Sequence, residues 1–223
     1  MEQLRASAKD EILSRIRNAL LDVPADENPE QITTERNYHM QTSQSHEEIV
    51  QLFVSRLEDY NAGVHRIQEA EISDTVAKLL KKYSLNQLVM PADIPQAWVP
   101  TELVVALRDE QNQLTNEQMG ESNSAILTAC AVAIAQTGTI VLDGGSLQGR
   151  RVLSLLPDYA FCVVREDQIV GLVPEAIAYL NDTITQHHQP ITFISGPSAT
   201  SDIELSRVLG VHGPRHLDIL LIF

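Results

Sequence analysis

Cysteine is scarce: two residues in 223, far apart at Cys130 and Cys162. No Cys-x-x-Cys pair occurs, so the usual spacings for zinc or an iron–sulfur cluster are missing. Both thiols read as reduced core residues of a cytosolic protein. His187-His188 has no carboxylate partner near it in sequence, so no metal site is expected. Aromatic residues make up 4% of the chain, with one tryptophan, Trp98, between Pro95 and Pro100. That residue either stacks on a ligand or plugs a surface hollow. Positive charge is in deficit, with 16 basic against 30 acidic residues and a formal charge of −14. Such a balance repels nucleic acid and anionic membranes, and the short pairs Lys81-Lys82 and Arg150-Arg151 are too little to reverse it. There is no apolar run of about eighteen residues, and Met1 to Leu21 is charged throughout, so neither a membrane span nor a secretory signal is expected. Gly-x-Gly-x-x-Gly and Gly-x-x-x-x-Gly-Lys-[Ser/Thr] are both absent, which argues against an ordinary dinucleotide or nucleoside-triphosphate site.

What is present suffices for one sizeable core, since 43% of the residues are hydrophobic. Ile12, Leu13, Ile16, Ala19 and Leu20 recur at helical spacing, predicting an amphipathic helix over about 7–21. Asp22 to Ser45 is polar and carries Pro24 and Pro29, an extended connector. We therefore divide the chain into an amino-terminal helix and connector, residues 1–45, and an α/β domain, residues 46–223. Within the domain, helices are expected at His46–Tyr60, Ile72–Tyr83, Pro174–Ile184 and Ile203–Leu209. Strands are expected at Val64–Ile67, Leu88–Met90, Leu103–Ala106, Tyr159–Arg165, Gln168–Val170, Pro190–Ile194 and Leu217–Phe223. Ala131–Gln136 and Thr139–Asp143 read as a hairpin relayed through Thr137-Gly138. The first half of the domain alternates strand and helix as a doubly wound α/β sheet would.

Candidate chemistry sits in clusters of small residues. Ser195, Gly196, Ser198, Thr200, Ser201 and Asp202 lie between a β-type run and the helix expected at Ile203, where an α/β protein can build an anion site. The other reading is that Asp202 or Ser201 only caps that helix, with Glu204 in its first turn. If the sheet is mainly parallel, this loop should lie outside the carboxyl ends of its strands. Arg150 and Arg151 follow Gly144-Gly145-Ser146 and Gly149, and a guanidinium on a glycine loop suits a carboxylate or phosphate. His212, in His212-Gly213-Pro214-Arg215, can act as acid or base, donate to a carboxylate, or be buried and structural. Arg215 and His212 precede the last strand and would need a folded-back loop to reach the same pocket. Ser198 lacks a Gly-x-Ser-x-Gly elbow and no triad order can be defended.

The string Ala133-Ile134-Ala135-Gln136-Thr137-Gly138-Thr139-Ile140-Val141-Leu142, with Gly149-Arg150-Arg151, Leu156-Pro157, Gly196 to Glu204 and Val211-His212-Gly213-Pro214-Arg215, resembles the lactate utilization protein C family, built on the LUD domain. Thr137, Gly138 and Thr139 would be its structural motif. The resemblance implies an α/β fold with a Rossmann-like layered sheet of the NagB/RpiA/CoA-transferase-like type, with which the alternation agrees, and a part in oxidising L-lactate to pyruvate. It further implies partner subunits that carry the iron–sulfur clusters, with no cofactor in this chain. Ala131 and Gln136 stand where many members carry a carboxylate, so acid chemistry is not expected there. A second reading is an independent small-molecule enzyme or binding protein recognising a carboxylate or phosphate. Covalent CoA transfer would need a glutamate placed to attack a thioester, and Glu204 falls inside the expected helix.

Overall fold

The computed structural model describes residues 8–23, 37–102, 104–120, 123–187, 190–201, 207–209 and 213–223. The chain divides into two compact units, Met1–Tyr38 and His39–Phe223. The first contains helix α1 (Ala8–Ala19), which begins with Asp10 and Glu11 and carries Arg17 in its last turn, in keeping with the helix dipole.

The second unit opens with α2 (His46–Asp59), whose start is written in its sequence. Ser45 Oγ accepts from the Glu48 amide, and Glu48 returns the bond to the Ser45 amide at 2.7 Å. Ile49, Val50, Phe53 and Leu57 bury one stripe of α2. Next come β1 (Gly63–Ile67), α3 (Ile72–Lys82), β2 (Gln87–Pro91), β3 (Val105–Asp109), α4 (Asn116–Met119) and β4 (Ser124–Ala129). The chain continues through β5 (Val132–Ile134), β6 (Thr139–Leu142), β7 (Tyr159–Arg165), β8 (Ile169–Val170) and α5 (Val173–Tyr179). It ends with β9 (Thr192–Ile194), β10 (Ala199–Ser201), β11 (Arg207–Leu209) and β12 (His216–Ile222).

Six strands form an all-parallel sheet in the order β1-β12-β7-β4-β2-β3. A parallel sheet is buried on both faces, and the alternation of side chains in β7 and β12 shows both of them. Phe161, Val163, Leu220 and Ile222 point into a core closed by Ile72, Val76, Leu79 and Leu80 of α3. Cys162, Val164, Ile219 and Leu221 point the other way, toward Phe53 and Leu57 of α2 and Ala133 and Ile140 of a second sheet. That sheet has the order β8-β5-β6-β9, with β6 antiparallel to both β5 and β9.

The Rossmann-like α/β architecture expected from the sequence is the observed one. Three local readings are corrected. Arg207–Leu209 is a strand rather than the end of a helix, paired antiparallel with Ala199–Ser201, and residues 203–206 lie outside the described residues. A tight two-stranded ladder and one turn of helix present the same few apolar residues, so spacing alone does not separate them. Helix α5 stops at Tyr179, and a π turn covers Thr183–His187 in place of a continuous helix to Ile184. Strand β3 begins at Val105 and runs to Asp109, later than the expected Leu103–Ala106. Strand β4, next to the middle of the sheet, was not anticipated at all. Trp98 is 3% exposed and packs in the α3-side core, so it fills a hollow and offers no open face to a ligand.

Candidate functional site

The β5–β6 hairpin sets the position of the site. Its turn places Gly138 at φ +58°, and a Cβ there would collide with the side chain and backbone of Arg56 on α2. Thr139, the first residue of β6, joins its hydroxyl to those of Thr137 and Ser195, each at 2.7 Å. The expected structural motif and the Ser195 loop are thereby tied into one chain of hydroxyls.

Ser195 follows β9, which belongs to the second sheet and runs antiparallel to β6. The loop therefore does not leave the carboxyl ends of the parallel strands, as the sequence reading supposed. It runs beside their amino ends instead. Ser198 donates its amide to the Pro214 carbonyl at 2.7 Å, and the Arg215 amide donates to the Asp158 carbonyl at 2.8 Å, just before β12 and β7 begin. Arg215, already at that end, needs no folded-back segment to meet the loop. Together with Ser195, Tyr60, Asn61 and His216 it lines a hollow of about 540 Å³. Its guanidinium also lies 3.4 Å from the Asp158 carboxylate, on the exposed surface.

Between the two sheets lies a cavity of about 280 Å³. Ile126 and Thr128 of β4, Ala160 and Cys162 of β7 and Leu217 of β12 form its floor. Ile140 and Leu142 of β6 with Thr192 and Ile194 of β9 form the facing wall. Polar groups come from Arg151, Ser154, Ser195 and Ser198, and Gly196 and Gly213 border it as well. Arg151 and Ser195 are exposed, whereas Ile126, Ile140 and Cys162 are buried, so the polar groups include the rim and the apolar ones make the depth. Among the described residues no acidic side chain lines this cavity. A second compartment, of about 430 Å³, shares Leu142, Arg151, Ser154 and Thr192 with the first and adds Gly144, Gln148, Gly149, Arg150 and Pro190.

The structure separates the two neighbouring arginines. Arg150 sends Nε and Nη2 to the two oxygens of Asp109, at 2.6 and 3.1 Å, and Nη2 also to the Leu114 carbonyl at 2.6 Å. It anchors the glycine loop to the end of β3. Among the described residues Arg151 makes a single side-chain contact, an exposed one of 3.2 Å with the Ser154 hydroxyl three residues on in the same 3-10 turn, and it borders both compartments. The backbone of Thr200 and Ser201 forms β10. Their side chains, with Asp202 and His212, lie outside the described residues, as does His188.

Sequence reasoning missed Thr128, Ser154 and Thr192 as lining residues and took Cys162 for plain core. Ser154 had a local signal, its spacing of three from Arg151. The others had none, because they meet only across two sheets. Cys130 neighbours Cys162, and its thiol is held well above its ordinary value by that neighbour and then by burial. It therefore stays protonated and unreactive. A further polar centre was also missed, on the α3 side. Asp218, 1% exposed, accepts from the Tyr83 hydroxyl at 3.0 Å and lies 2.8 Å from His65 Nε2. Burial raises the Tyr83 pKa, and beside it Tyr159 stacks on His216 while the Tyr83 ring packs tilted against both.

A parallel Rossmann-like sheet backed by a small second sheet, with a hydroxyl-rimmed cavity between them, defines a layered α/β protein. Residues 50–222 match the LUD domain, and the chain belongs to the LUD domain family. It is 42% identical over 217 residues to a protein of Deinococcus radiodurans named lactate utilization protein C, covering 97% of this chain and 96% of that one. A Geobacillus protein of the same name is 32% identical over 136 residues, 60% of this chain and 54% of that one. The crystal structure of a DUF162 family protein from Deinococcus radiodurans superposes with a TM-score of 0.69 at 38% identity, covering 81% of this chain and 99% of that one.

Proposed function

We propose that this protein takes part in lactate utilization as one component of a multi-protein system that oxidises L-lactate to pyruvate. The observation that carries this reading is the 42% identity, over nearly the whole of both chains, to a protein named lactate utilization protein C. Oxidising lactate removes two electrons and two protons from its carbinol. In this proposal the electrons pass to iron–sulfur clusters on partner subunits, because amino-acid side chains of the kinds lining the cavity do not accept a hydride equivalent. The part left to this chain is to hold the acid. Arg151 supplies the cation for its carboxylate, Ser154, Ser195 and Ser198 supply hydroxyls, and the wall between the sheets takes its carbon body.

The test is L-lactate-dependent dye reduction in extract from cells lacking this chain, with purified protein added back. Restored reduction supports the reading, and reduction that is the same with and without the protein refutes it. A second reading, a free-standing carboxylate- or phosphate-binding protein, is favoured by one observation: the polar compartment bordered by both Arg150 and Arg151. Binding of inorganic phosphate in competition with lactate would support it.

A further inference from the structure

We propose that the cavity between the two sheets prefers 2-hydroxy monocarboxylates whose aliphatic tails are longer than the methyl group of lactate. The 2-hydroxy acid part rests on the lactate reading above; the preference for length rests on the cavity alone. Its 280 Å³ would hold about nine waters at ~30 Å³ each, which is more room than a three-carbon acid fills. The depth is apolar, with Ile126, Ile140, Leu142, Ala160 and Leu217 facing one another from four strands. A lactate methyl would leave most of that wall against water or empty space.

The ligand's two ends are also sorted. Arg151 is the only cation lining this cavity among the described residues, and it borders the neighbouring compartment too. A carboxylate on Arg151 lets its tail run inward between the sheets, against Ile126, Ile140 and Leu217. Among the described residues no acidic side chain lines the chamber to repel the anion or to recruit an amine. Ala160 lies at the floor, where a larger side chain would take up room.

Burial of one methylene is worth about 0.8 kcal/mol, or about fourfold in affinity, so affinity should climb by about that factor for each carbon added until the chamber is full. The experiment is calorimetric titration of the purified full chain with L-lactate, L-2-hydroxybutyrate and L-2-hydroxy-4-methylpentanoate, each beside its neutral amide. The expected result is a stepwise rise along the acids, weak or no binding of the amides, and loss of the whole series in Arg151→Gln. In Ala160→Leu the order should invert, the longest acid suffering most. Should that variant fail to fold by circular dichroism, the wild-type series decides. Affinity that is flat or falls with length, equal binding of the amides, an unaffected Arg151→Gln, or no binding by any acid overturns the proposal. Dye reduction by added-back wild-type protein is a separate readout. A rising series without restored reduction leaves the long-tail cavity standing and removes the lactate role, and a flat series with restored reduction does the reverse.

Discussion

Asp109 is 2% exposed in its side chain, and Arg150 covers it with two hydrogen bonds while giving a third to the Leu114 carbonyl. Removing one member of such a pair strands a buried charge. Arg150→Ala should therefore cost about 3 kcal/mol in urea unfolding, and the joint replacement Asp109→Leu with Arg150→Met should recover most of the loss. Arg151, exposed and held among the described residues only by Ser154, should give a change within about 0.5 kcal/mol on replacement by Gln, with its effect confined to ligand binding. Neighbouring arginines after a glycine loop looked alike in sequence, because their difference lies in which one finds Asp109, forty-one residues earlier. Gly63 gives the same kind of lesson. It lies against Asp218, and a Cβ at that position would overlap the carboxylate that His65 and Tyr83 share. Gly63→Ala should destabilise by about 1–3 kcal/mol, a fall of about 2–12 °C in Tm by calorimetry for a chain of this size.

Elements with a solvent face were the readable ones. The helical spacing over His46–Tyr60 marked α2 in the sequence, the structure adds the Ser45–Glu48 capping box at its start, and Ser45→Ala should cost about 1 kcal/mol by thermal or urea unfolding. Strand β4 was invisible for the opposite reason. Ser124 to Ala129 is buried at every position, so it has no polar alternation, and its alanines and serine lack the β-branched bulk that marked Tyr159–Arg165. The β10–β11 ladder failed because a three-residue strand carries too few residues to show a period. Misreading that ladder as a helix had put an anion site at a helix end, on the carboxyl side of the sheet. The antiparallel run of β9 against β6 is what turns the loop to the amino side, and pairing partners are not local information. Thr137-Gly138-Thr139 was legible as a hairpin, but its hydroxyl link to Ser195 spans 56 residues and was not.

At the scale of the whole molecule, the coupling of Cys130 to Cys162 makes stability depend on alkaline pH. The folded state holds the Cys130 thiol well above its ordinary value of 9.0, whereas the unfolded chain ionises it near that value. A raised pKa contributes stability that is complete below the unfolded value and is lost as pH rises beyond it. Urea midpoints should thus hold between pH 7 and about 8.5 and fall above about 9, and Cys130→Ala should flatten that alkaline slope. The topology has a consequence of its own for biogenesis. Strand β1 pairs with β12 alone, and His65 and Asp218 are separated by 153 residues. At about 5–20 residues per second, a ribosome takes roughly 8–30 s to travel that distance. Throughout that interval β1 lacks the strand it pairs with among the described residues, so newly made chains should lean on holding chaperones until β12 slots between β1 and β7.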